Sequence, residues 1–332
     1  MRKKLLSLLL VASMAVSLVA CGGSDSADNS SEDASGASSG EKTYSIGICQ
    51  LVQHPALDAA TQGFQDALTE KLGDAVSFDL QNASGESTNC ATIVNGFVSD
   101  GVDLILANAT APLQAAASAT ADIPILGTSV TDYATALELS DWSGVVGGNI
   151  SGTSDLAPLD QQAAMLNELF PDAKNVGLLY CSSEANSIYQ CTKIEEYLKE
   201  YGYNVTWYAF TDSNDVTSVT QTAADASDVI YIPTDNTAAS NTEAIANVLL
   251  PAGVPAVTGE EGICAGCGVA TLSISYYDLG VATGKMAARV LQGEDISAMP
   301  VEYAPNFTKK YNAANCEALG ITIPDGYEAI AE

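Results

Sequence analysis

Residues Val229–Thr237 read VIYIPTDNT. Four β-favouring apolar residues end at Pro233, a polar run Thr234–Thr237 follows, and helix-forming sequence (AASNTEAIANVLL) begins. An apolar run without alternation marks a parallel strand buried on both faces, and its polar end marks the loop into a helix N-terminus. In open α/β sheets, ligands bind just beyond the carboxyl ends of the strands. Val102–Thr110, VDLILANAT, has the same layout and is followed by APLQAAASATA.

The likeness runs further. DIPILGTSVTD (Asp122–Asp132) follows the first helix and GVPAVTGEEG (Gly253–Gly262) follows the second. Each is a short strand with Pro near its start and a polar, Gly-containing end. Two βαβ segments in one order predict an α/β chain of two Rossmann-like lobes. Their parallel sheets face each other across a cleft, joined by a multi-strand hinge.

The remaining chain fits that plan. Strands are expected at 42–49, 75–80, 175–180 and 203–210. Helices are expected at 56–72, 90–99, 159–170, 188–201, 213–224, 278–291 and 313–319. VVGGNIS and the following Gly152-Thr153-Ser154-Asp155 suit a crossing strand or hinge, and 301–311 reads as one late strand. The expected N-terminal lobe is 43–151 plus 277–300, and the C-terminal lobe is 152–276 plus 301–332.

Residues 1–20 are expected outside the fold. Arg2, Lys3 and Lys4 precede the apolar run LLSLLLVASMAVSLVA, which is short for a membrane span. Its end, Leu18-Val19-Ala20-Cys21, resembles the lipobox of bacterial lipoproteins, which implies that Cys21 is lipidated. Residues 21–42 then read as lipidated Cys and flexible linker, since GGSDSADNSSEDASGASSGE has no large apolar side chain. The expected location is the extracytoplasmic face of a bacterial membrane, with the body lipid-anchored.

Without Arg2, Lys3 and Lys4, the 12 Lys+Arg fall to 9 against 41 Asp+Glu, and the net charge moves from −29 to near −32. Nucleic acid needs a basic face and is excluded as a partner. Cys21 aside, the cysteines are Cys49, Cys90, Cys181, Cys191, Cys264, Cys267 and Cys316. Cys264-Ala-Gly-Cys267 admits a redox pair, half a zinc site or a local staple. Zinc needs about four ligands, and His54 is the one histidine, so structural thiols or disulfides are expected and no metal or cofactor. A Cys49–Cys90 bridge is open on spacing.

No Walker loop, no GxGxxG after a strand and no GxSxG elbow is present. His54 precedes Pro55 and reads as a structural or rim residue, so no catalytic triad and no enzyme activity are expected. A zwitterionic ligand needs an acceptor for its ammonium and donors for its carboxylate. Asp235 is the first candidate counter-charge, with Glu260 and Glu261 next. These two are adjacent, so one of them faces inward. The single arginine beyond residue 20, Arg289, falls inside a helix. Hydroxyls and backbone N–H groups at helix starts are therefore expected to hold the carboxylate. Ala109, Thr110, Ser129, Ser182 and Ser183 are placed for that, and Gln50, Asn186 and Asn236 complete the candidate shell. Helix capping is the rival role for each. Tyr133, Tyr189 and Tyr276 lie near the same loops.

Several stretches resemble the ABC-transporter substrate-binding lipoproteins of the tryptophan/tyrosine-type group. They are QHPALDAATQGFQDAL, VDLILANATAPLQAA, DIPILGTSVTD, SGTSD, LLYCSSEANS, VIYIPTDNT, GEEG, YYDLGVATGKMAARVL and ALGITIP. They span nearly all of 43–325 in matching order; the extra cysteines Cys181, Cys264 and Cys267 depart from the pattern near the cleft. The resemblance implies a type I periplasmic-binding-protein fold. It implies capture of an aromatic or hydrophobic L-amino acid by a monomer that delivers it to an ABC permease with its ATPase. A ligand sensor for a membrane receptor, a sugar binder and a CxxC thiol oxidoreductase are the alternatives.

Overall fold

The computed structural model describes residues 43–331; the expected signal sequence, Cys21 and linker lie outside the described residues. In chain order the first elements are β1 (Tyr44–Gln50), α1 (Pro55–Leu72), β2 (Val76–Asn82), α2 (Ser87–Asp100), β3 (Leu104–Asn108), α3 (Thr110–Ala119), β4 (Ile125–Val130), α4 (Tyr133–Ala136) and β5 (Ile150–Ser154). Next come α5 (Leu159–Leu169), β6 (Asn175–Cys181), α6 (Ala185–Glu200), β7 (Asn204–Phe210), α7 (Val216–Ala224) and β8 (Val229–Ile232). Then follow α8 (Asn236–Ala239), α9 (Thr242–Ala252), β9 (Ala256–Thr258), α10 (Glu261–Cys267) and β10 (Ala270–Ser273). The chain ends with α11 (Tyr276–Leu291), β11 (Glu302–Tyr303), β12 (Thr308–Tyr311), α12 (Ala313–Leu319) and β13 (Glu328–Ala329).

One sheet has the order β11-β5-β4-β3-β1-β2 and the other β13-β12-β10-β9-β8-β6-β7. All pairings are parallel except β10 with β12. The unbroken apolar runs are explained by burial on both faces. In β8, Val229 and Tyr231 pack with α5 and α6, while Ile230 and Ile232 pack with α7 and α9. In β3, Leu104 and Leu106 face α1 and α11, and Ile105 and Ala107 face α2 and α3.

Helix α11 returns to the first lobe and lies against α1 almost backbone to backbone. A Cβ at Gly280 would sit 2.0 Å from the Ala60 carbonyl oxygen, and one at Gly63 would sit 2.1 Å from that of Tyr277. Glycine at these positions is what lets the returning helix reach the sheet.

The chain crosses between the sheets three times, after β5, after β10 and after β11. The first sheet thus includes residues up to Ser154 and again Glu302–Tyr303, a little past the expected limits of 151 and 300. The stretch read as one strand over 301–311 is two, in different sheets, because the third crossing passes through Pro305, which has no N–H to donate. The helix expected after Thr237 is also two. Ser240 Oγ donates to the Asn236 carbonyl at 2.6 Å and Asn241 Nδ2 to that of Thr237 at 2.7 Å, and such local bonds compete with the helix ladder.

Candidate ligand-binding site

The carboxyl ends of both sheets meet at a cavity. Its walls are His54, Leu57, Ser129 and Thr131 from the first lobe and Asn186, Thr234, Asp235, Asn236, Ala239 and Glu260 from the second. Asp155, just past β5, and Tyr276, at the start of α11, add the hinge side. The enclosed space is about 10 Å³, room for one water, so the lobes are closed on each other. His54 Nε2 and Asn236 Oδ1 meet across the lobes at 3.3 Å.

Three buried polar atoms in this wall have no hydrogen-bond partner: His54 Nδ1, Ser129 Oγ and Asp155 Oδ1. Buried polar groups are nearly always paired, so unpaired ones converging on one cavity point to a ligand. Ser129, the last residue but one of β4, has φ 54°, a strained value for a non-glycine residue that brings its hydroxyl to the cavity wall. Ala109, just past the end of the adjacent β3, is also in the positive region at φ 109°. Asp155 is 4% exposed, and its Oδ2 accepts from the Tyr276 hydroxyl at 3.0 Å. Burial pushes its carboxyl above the usual range, against the pull of the Tyr276 and Thr131 hydroxyls. Burial likewise holds the His54 imidazole below its ordinary value, favouring the neutral ring.

Asp235 is 1% exposed and hydrogen-bonded on both oxygens. Oδ1 accepts from the Ala238 N–H at 2.8 Å, capping α8. Oδ2 accepts from the Cys181 N–H at 2.6 Å and the Ser187 hydroxyl at 2.8 Å. Burial and the neighbouring Glu184 raise its carboxyl, and these donors oppose them. Glu184 takes the Asn236 N–H at 3.0 Å and the Thr237 N–H at 2.8 Å. Glu260 accepts from the Gly262 N–H at 2.6 Å and from the Ile263 N–H, capping α10. Burial pushes Glu260 up to about 7. The first-turn N–H groups of α8 and α10 are therefore held by the protein's own side chains, all by carboxyls except the Glu261 N–H, which goes to the Ser273 hydroxyl.

The expected shell divides accordingly. Ser129, Asn186, Asp235, Asn236 and Glu260 reach the cavity. Glu261 turns away to Lys310 at 2.6 Å. Gln50 is drawn back into its own lobe: it donates to Asp58 Oδ1 at 2.6 Å and accepts from the Thr61 hydroxyl at 2.7 Å. Ala109 and Thr110 are buried at the start of α3 without lining the cavity. Ser182 bonds the Phe210 carbonyl, and Ser183 lines a separate groove of about 380 Å³ that shares Asn236 with the cavity. Of the tyrosines, Tyr276 lines the cavity, Tyr133 stacks on Trp142 in the core, and Tyr189 is half-buried on α6. Sequence reasoning passed over Asp155, Thr131 and Thr234 and set His54 apart as a structural or rim residue. Asp155 carried the available signal, an acid after a small polar run at a strand end, as in Asp235.

The seven described cysteines are all free and buried; Cys49 and Cys90 share a hydrogen bond and no bridge. Burial pushes the Cys264 and Cys267 thiols up, away from the thiolate that redox exchange needs. No group among the described residues is arranged to hold a metal ion.

A family model for ABC transporter substrate binding proteins matches residues 45–332. A tyrosine-binding protein of Clostridioides difficile (strain R20291) is 37% identical over 303 residues, 90% of this chain and 87% of the relative. The crystal structure of an ABC domain in complex with L-Trp from Streptococcus pneumoniae is 33% identical, with TM-score 0.83 over 87% of this chain and 100% of that one. A ligand-free, open structure of a substrate-binding protein with adhesive properties from Clostridium difficile is 36% identical. Its TM-score is only 0.67, over 87% of this chain and 99% of that one. The lower TM-score against the open structure, despite its higher identity, is consistent with the closed cavity. The chain belongs to the ABC transporter substrate-binding protein family.

Proposed function

We propose that this protein captures an aromatic L-amino acid, tyrosine or tryptophan, between its lobes outside the cytoplasm and presents it to an ABC permease. The observation that carries the reading is the convergence of three buried, unpaired polar atoms on one interlobe cavity. Asp155 Oδ1 takes the ammonium, with Asp235 and Glu260 flanking it. With the α8 and α10 starts already capped, the ligand carboxylate goes to the first-lobe side, to Ser129 Oγ, and His54 Nδ1 serves a third polar contact. The ring runs past Asn236 toward the groove walled by Leu51, Val52 and Ala111. Support for the ligand class comes from the tyrosine-binding relative and the L-Trp complex.

Closure on such a ligand follows from its stronger binding to the closed form. The role is carriage without bond chemistry, by a monomer tethered through lipidated Cys21. Mass spectrometry of the membrane-bound chain reads that lipid, and gel filtration reads the monomer. The central experiment is calorimetric titration with each proteinogenic amino acid and with hexose and pentose controls. Tyrosine or tryptophan as the tightest ligand supports the reading, and sugar binding without an amino-acid response refutes it.

A further inference from the structure

The cavity is walled by three carboxyl groups, those of Asp155, Asp235 and Glu260, and by His54, whose ring burial keeps neutral; no lysine or arginine lines it, and the Tyr276 and Tyr133 hydroxyls lie by Asp155. Behind Asp235 stands Glu184, at the start of α6, and the Cys181 and Cys191 thiols lie near it. Asp58 of α1 lies behind His54. Beyond Glu260 is Glu261, whose partner Lys310 is held at 2.6 Å on the far side. Closed carboxyls in such numbers, without a cation, cannot all remain ionised.

They are unequally compensated. Asp235 has three donors and Glu260 has two backbone N–H groups. Asp155 Oδ2 has the Tyr276 hydroxyl, the Thr131 hydroxyl and the Asp155 N–H also favour the carboxylate without outweighing burial, and the buried Oδ1 has no hydrogen bond. An ionised Asp155 would lose water at both oxygens, and these groups recover only part of that cost. A protonated Asp155 avoids that cost.

We propose that ligand capture is a proton exchange at Asp155: its carboxyl is closed in protonated, and the arriving ammonium takes the place of that proton, which leaves to solvent. The balance is a carboxylic acid plus a ligand ammonium giving a carboxylate–ammonium pair plus one buffered proton. The inference rests on the reading of an amine-headed ligand and adds a pH dependence to it. Binding strengthens as pH rises toward the raised value of Asp155 and levels off above it. The protein thus holds its amino acid less tightly in acid surroundings.

The test is calorimetry with L-tyrosine, and in parallel L-tryptophan, in buffers of different ionisation enthalpy, from about pH 5 to about pH 8. The slope of observed enthalpy against buffer enthalpy counts protons released. We expect about one per ligand at the acid end, fewer at the basic end, and affinity rising up to roughly tenfold per pH unit on the acid side. In Asp155→Asn, with folding checked by its melting temperature, the slope falls toward zero and the weakened binding loses its acid-side pH dependence. A flat slope in the wild type with binding intact overturns the inference and leaves the amino-acid reading standing. An unchanged slope in the folded Asn variant overturns the assignment to Asp155. Absence of any amino-acid binding across the range overturns both.

Discussion

Replacing Asp235 with Asn separates a structural carboxyl from a ligand-contacting one. In the wild type, Oδ1 caps α8 through the Ala238 N–H, and Oδ2 accepts from the Cys181 N–H at 2.6 Å and the Ser187 hydroxyl at 2.8 Å. An Asn keeps one acceptor oxygen, which stays on the cap. Its amide N–H₂ then faces the Cys181 N–H, donor against donor, while the Ser187 hydroxyl rotates to accept. One buried donor left unpaired costs about 1–3 kcal/mol. Removing charge beside Glu184 returns part of that, so a net loss of about 1–2 kcal/mol is expected. At roughly 2–4 °C per kcal/mol for units of this size, the unliganded melting temperature should fall by about 2–8 °C. Affinity for tyrosine or tryptophan should change only a few-fold, because Asp155 carries the ammonium. Thermal melts without ligand, with calorimetry beside them, read both quantities. Unchanged melting together with a loss of binding of about 2–5 kcal/mol would refute the reasoning and make Asp235 the counter-charge.

Asp155→Asn should behave in the opposite way, losing about 2–5 kcal/mol of ligand affinity by calorimetry with melting nearly unchanged, since its Oδ1 has no protein partner. Gly280→Ala should cost about 1–3 kcal/mol, read as a lowered denaturation midpoint, because the new Cβ falls 2.0 Å from the Ala60 carbonyl and drives α11 off α1. For pH, Glu260 rises from 4.5 to about 7 on folding, so its contribution is full below about 4.5 and is lost as pH climbs through about 7. Against Glu260→Gln, the unliganded wild type should therefore lose up to about 3 kcal/mol of relative stability over that interval, and pH-dependent denaturation of the two proteins checks it. An equal response of both proteins would rule out a buried, proton-holding Glu260.

The sequence by itself determined most strands, most helices and the two-lobe plan. Whether VIYI or LILAN forms a strand is settled by residues within a few positions, through backbone geometry and the need to bury both faces. Their place in a parallel sheet follows from the helices between them. Tertiary structure decided which polar strand ends meet. Gln50, a plausible cleft residue by position, is pulled into its own lobe by Asp58 and Thr61. Glu260 and Glu261 are neighbours in sequence, yet one caps α10 at the cavity and the other pairs with Lys310 outside it. The Asp155–Tyr276 and His54–Asn236 contacts join residues 121 and 182 positions apart. No local pattern encodes such pairs, because a side chain's direction at a strand end is set by the long-range partners that fill its hydrogen-bonding capacity.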